Sequence, residues 1–102
     1  MEAENLHFFV EGRVQGVGFR RFVLRKAEAL SITGWVQNTF DRRVEVFARG
    51  NSDSLSSFLQ ACQKGPLFAS VTSVVFADAA MDAINQDTLK APCLEGAFVI
   101  RR

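Results

Sequence analysis

Histidine and cysteine, the usual zinc-ligating and redox-active side chains, are scarce in this chain of 102 residues, which has one histidine and two cysteines. His7, Cys62 and Cys93 are far apart and form no CxxC pair, which argues against a zinc centre; no metal or cofactor is expected, and two cysteines alone define no disulfide. No apolar run approaches the roughly 20 residues that span a bilayer. The N-terminus carries no basic segment leading into an apolar one, so no signal peptide is read there. A cytoplasmic protein with reduced thiols is the expectation. An overall excess of one charge sign is also missing: 12 basic residues face 11 acidic ones, which argues against a general nucleic-acid or membrane binder. Repeats and low-complexity tracts are absent.

What is present is apolar, at 48% of residues. That is enough for one core, and residues 1–102 are read as one domain, monomeric because nothing demands a partner subunit. Basic residues are concentrated locally, with seven against two acids between Arg13 and Arg43. Such an excess favours a small anion.

Leu6, Phe8 and Val10 alternate with His7, Phe9 and Glu11, predicting a strand that stops at Gly12. His7 falls on its second side and is expected at a surface or edge. Phe19, Phe22, Val23, Ala27 and Leu30 then share a helical stripe. GWVQNTF and RVEVFAR read as two strands joined by a turn at Asp41 and Arg42, where Arg42 and Arg43 are expected to be solvated charges. A second helix follows, capped by Asn51 or Ser52, striped with Leu55, Phe58, Leu59 and Cys62, and ended by Gly65 and Pro66. Cys62 is expected to be buried and inert, and Trp35 to be a packing residue. VTSVVFA and AFVIRR read as further strands, and residues 78–95 show no period. The order predicts an α+β, ferredoxin-like split βαβ sandwich: an antiparallel sheet with two helices on one face and a short extra C-terminal strand.

The chemistry is concentrated in GRVQGVGFRR, residues 12–21. Glycine permits the positive φ angles with which successive N–H groups converge on an anion. The helix start adds unpaired N–H groups, and Arg20 adds a planar fork. Known nucleotide loops do not fit: GxxxxGK[ST] would need Gly at 17 and Lys at 18, where Val17 and Gly18 stand. GxGxxG from Gly16 would need Gly at 21, where Arg21 stands.

VEGRVQGVGFR resembles the acylphosphatase signature V-x-G-x-V-Q-G-V-x-F-R, and GWVQNT resembles that family's G-W-V-x-N. DRRVEVFARG, FLQACQKGPLFASVTSV and the ending AFVIRR also read like family segments. The resemblance implies hydrolysis of the carboxyl–phosphate anhydride of small acyl phosphates, without a metal or other cofactor. Position by position, it implies that Arg20 binds the phosphate and Asn38 orients the attacking water. Backbone N–H groups of Gln15, Gly16, Val17, Gly18 and Phe19 would complete the cradle, with Thr39 supporting Asn38. Phosphate and similar anions would inhibit. Arg13 and Arg21 would raise the local potential. Ser31 and Arg42 stand where the family often has glycine and where positive φ would be convenient, so some strain or a reshaped turn is expected there.

The sequence also admits two other readings. One is a non-catalytic ferredoxin-like module holding phosphate, RNA or a protein; it has no use for a water-positioning amide, and aromatic RNA-stacking residues are missing. The other is the acylphosphatase-like domain that opens larger carbamoyl-transfer proteins. With no appended domain in the sequence, the free-standing enzyme is the expectation.

Overall fold

The computed structural model describes residues 4–77 and 97–101. Its elements are β1 (Glu4–Arg13), α1 (Phe19–Ala29), β2 (Thr33–Asn38), β3 (Val44–Gly50), α2 (Ser52–Lys64), β4 (Ser70–Phe76) and β5 (Phe98–Ile100). The aperiodic segment 78–95 and Cys93 lie outside the described residues.

The strands form one sheet in the order β4-β1-β3-β2-β5. The β1–β3, β1–β4 and β2–β3 pairs are antiparallel, as the order of elements predicts. β5 departs from that expectation: it lies parallel to β2, through the pairs Gly34–Phe98 to Val36–Ile100, so the sheet is mixed. β1 also runs past its predicted stop. A bulge between Glu11 and Gly12 shifts its register against β4 and carries the strand to Arg13.

Phe8, Val10, Val36, Val44, Val46 and Ala48 of the sheet join Phe19, Val23 and Ala27 of α1 and Leu55, Phe58 and Cys62 of α2 in one buried cluster. Each large side chain here contributes roughly 1.5–3 kcal/mol of burial free energy. Cys62 is fully buried, and desolvation pushes its thiol up to about 12, which makes it inert. Ser31 and Arg42 both take positive φ, 58° and 68°.

The opposite face of the sheet corrects the sequence reading. His7, expected at a surface, is buried. It lies among the rings of Phe9, Trp35 and Phe47, with Nε2 2.7 Å from Glu45 Oε2. Trp35, also buried, stacks on Phe47 and lies under the Arg101 guanidinium at 4.7 Å. Burial would raise the Glu45 carboxyl. Hydrogen bonds with His7 and Gln37, and the charges of His7 and Arg101, outweigh that and hold it below its ordinary value. Aromatic rings on the second face, rather than water, are why the alternation rule misplaced His7.

Topology also decides where loops emerge. β1 and β2 both run antiparallel to β3, so both finish at the same end of the sheet. Val10 and Asn38 each pair with Val44. The β1–α1 loop and Asn38 therefore leave the sheet close to one row.

Candidate active site

Gly16 and Gly18 adopt φ of 76° and 78°, and a Cβ on either would meet no atom of the described residues within 4 Å. Backbone conformation, not crowding, is what calls for glycine here, as an N–H-lined turn requires. Gly18 is also the N-cap of α1. It offers no side-chain cap, and no acid stands in the first turn. In α2, by contrast, Asn51 Oδ1 accepts from the Ser54 N–H at 2.8 Å and Asp53 complements the dipole. Among the described residues, the positive end of α1 is capped by no side chain.

It opens on a cavity of about 290 Å³ lined by Val14, Gly16, Gly18, Phe19, Arg20, Arg21 and Ile100. Four of the sequence-predicted residues thus share one cavity. Ile100 was not anticipated, because nothing in a three-residue strand tells which neighbour it joins. Val17 turns its side chain toward the core and borders a different hollow, with Phe22 and Pro66. Asn38 and Thr39 line a second hollow of about 480 Å³ with Gln37, Phe40 and Glu45.

Gln15 spans from the loop to the residues that follow Asn38. Its Nε2 donates to the Thr39 carbonyl at 3.0 Å and the Arg43 carbonyl at 2.8 Å. The β2–β3 turn that receives it is tightly cross-linked. Thr39 Oγ1 donates to Asp41 Oδ1 and accepts from the Arg43 N–H at 3.0 Å. Arg43 Nε donates to Asp41 Oδ2 at 2.8 Å. The hydrogen bond from Thr39 does most to hold the Asp41 carboxyl below its ordinary value, against desolvation and with help from the Arg43 charge. Arg43 is therefore not the solvated charge expected. Its guanidinium folds back over the Phe9 ring at 4.2 Å and reaches Glu11 at 3.6 Å. Arg42, as expected, is exposed.

Known proteins give this arrangement a place. The acylphosphatase family profile matches residues 6–87. An acylphosphatase of Moorella thermoacetica is 46% identical over 74 residues, covering 72% of this chain and 80% of that protein. One from Acidiphilium cryptum is 36% identical over 95 residues, covering 93% of this chain and 92% of its own. The crystal structure of the acylphosphatase from Bacillus subtilis superposes with a TM-score of 0.76 at 36% identity, covering 96% of this chain and 98% of that one. The ferredoxin-like sandwich, the glycine loop opening on a bare helix start and these relatives agree: the chain belongs to the acylphosphatase family, enzymes that hydrolyse acyl phosphates to a carboxylate and inorganic phosphate.

Proposed function

We propose that Arg20, Asn38 and the backbone N–H groups of residues 15–19 carry out this hydrolysis, by direct attack of water on phosphorus and without a metal. The observation behind the assignment is the uncapped, acid-free start of α1, with Arg20 in its first turn facing the glycine-lined cavity. A cation at the positive end of a helix is unfavourable by itself. An anion held between the two reverses the sign. The guanidinium fork and the converging N–H groups grip the outer phosphoryl oxygens and neutralise charge as the transition state forms.

The leaving group is a carboxylate, a weak base that departs unprotonated, so no general acid is needed. Alignment of the nucleophile and charge neutralisation remain. Asn38 is a poor base but a good aimer: its carbonyl accepts from water while its NH₂ donates elsewhere. The released proton goes to a phosphate oxygen of the substrate. An alkyl phosphate must expel an alkoxide, which calls for an acid or a metal. The protein in this reading is a cytoplasmic monomer acting on small acyl phosphates and inhibited by free phosphate.

Phosphate release from acetyl phosphate, with a chelator present and glycerol phosphate as control, tests the reading. Rapid release from the acyl compound alone, competitively inhibited by phosphate, is expected. Comparable rates on both compounds, or abolition by the chelator, would refute it.

A further inference from the structure

Gln15 does more than lend its backbone N–H to the cradle. Both N–H bonds of its side-chain amide are spent on two carbonyls of one turn, Thr39 at 3.0 Å and Arg43 at 2.8 Å. Those carbonyls flank the turn: Thr39 directly follows Asn38, and Arg43 directly precedes Val44, the residue with which Asn38 is paired. The Arg43 carbonyl also accepts from the Thr39 N–H at 2.9 Å, closing the turn beneath the amide. One side chain thus ties the loop of Arg20 to the base of Asn38. No other side chain among the described residues hydrogen-bonds the 14–18 loop to this turn.

We propose that Gln15 is a positioning residue: its amide sets the distance and angle between the phosphate cradle and the water held by Asn38. This rests on the roles proposed above for Arg20 and Asn38. The arrangement suits the task because the cradle and the water-aiming group sit on different strand ends, and errors between the two add directly to the attack angle. A donor pair is required at position 15. Glutamate has the same shape but would set a carboxylate against two carbonyl oxygens, and methionine has the same reach with nothing to donate.

The test compares Gln15→Met and Gln15→Glu with the unsubstituted protein, using acetyl phosphate turnover and competitive inhibition by inorganic phosphate. Misplacement by about 1 Å costs up to roughly 100-fold in rate, so kcat should fall about 10- to 100-fold while the phosphate inhibition constant stays within about threefold. In an Asn38→Ala background the same substitutions should change kcat less than about threefold, because the group being positioned is gone. Unchanged kcat in both variants would overturn the proposal. So would an equal weakening of turnover and phosphate binding, or a full-sized effect without Asn38. The underlying reading fails separately, if the unsubstituted protein does not hydrolyse acetyl phosphate or a folded Arg20→Ala protein does so at full rate. An independent readout uses the native protein: the Gln15 side-chain NH₂ protons should exchange with solvent at least tenfold more slowly than those of the exposed Gln60 and Gln63. Equal exchange would show that the clamp is not formed.

Discussion

Replacing Arg20 by alanine should separate stability from activity in opposite directions. Arg20 is in the first turn of α1, where there is no acid and no side-chain cap. It forms no ion pair with the described residues. Removing a cation from a helix N-terminus relieves about 0.3–1 kcal/mol of dipole repulsion. For a domain of this size each kcal/mol moves Tm by about 4–8 °C. The Arg20→Ala protein should therefore melt at the same temperature as its parent or several degrees higher. Catalysis should move the other way. In the proposed role the fork supplies a full charge and two donors to the phosphoryl oxygens, and arginines so placed are worth on the order of 10³-fold or more, about 4 kcal/mol of barrier. Thermal unfolding followed by circular dichroism, beside kcat/KM on acetyl phosphate, checks both halves. Arg20→Lys, which keeps the charge but loses the planar fork, should fall between. A folded Arg20→Ala protein with most of its turnover would remove Arg20 from the chemistry. A marked loss of stability would recast it as a structural residue.

Asn38→Ala should lower kcat by about 100-fold with little change in phosphate inhibition, since alignment rather than binding is lost; Asn38 is exposed, so stability should stay within about 0.5 kcal/mol. Phe58 is fully buried, with its ring centroid 6.4 Å from that of Phe8 and 6.0 Å from that of Phe98; Phe58→Ala should cost about 3–5 kcal/mol, read as a fall in the denaturant midpoint. The Glu45 carboxyl titrates below its ordinary value of 4.5. Its contribution is therefore complete above that value and is lost as pH falls through the lower folded one, so Glu45→Gln should flatten the acid limb of a stability–pH curve and leave neutral pH as the place where the two proteins differ most.

The elements that the sequence disclosed are those whose signal is local. A glycine-rich turn followed by an apolar stripe at helical spacing announces β1, the loop and α1, because φ freedom and periodicity are properties of neighbouring residues. The positive φ at Ser31 and Arg42 was signalled only by the resemblance to a family that often has glycine at those two positions. What escaped depends on partners distant in sequence. His7 meets Glu45 and Trp35 only after β1, β2 and β3 pair. Arg43 finds Phe9 and Glu11 only across the sheet. The direction of β5 is set by its docking beside β2, and three residues carry no mark of it. Gln15 was noticed for its backbone, as part of a motif, while its side-chain role is a contact across 24 and 28 positions.

These misses share a cause that bears on the chemistry. Attack in line requires the cradle and the water to come from two chain segments, since one short loop cannot face both sides of a phosphorus atom. The geometry between segments is by nature non-local. In the proposed mechanism it rests on the antiparallel pairings of β3 with β1 and β2, which place Val10 and Asn38 opposite the same Val44. On the mechanism proposed above, cradle residues can thus be read from a motif, whereas the alignment between cradle and water would have to be read from the register of three strands and from the amide that bridges their ends.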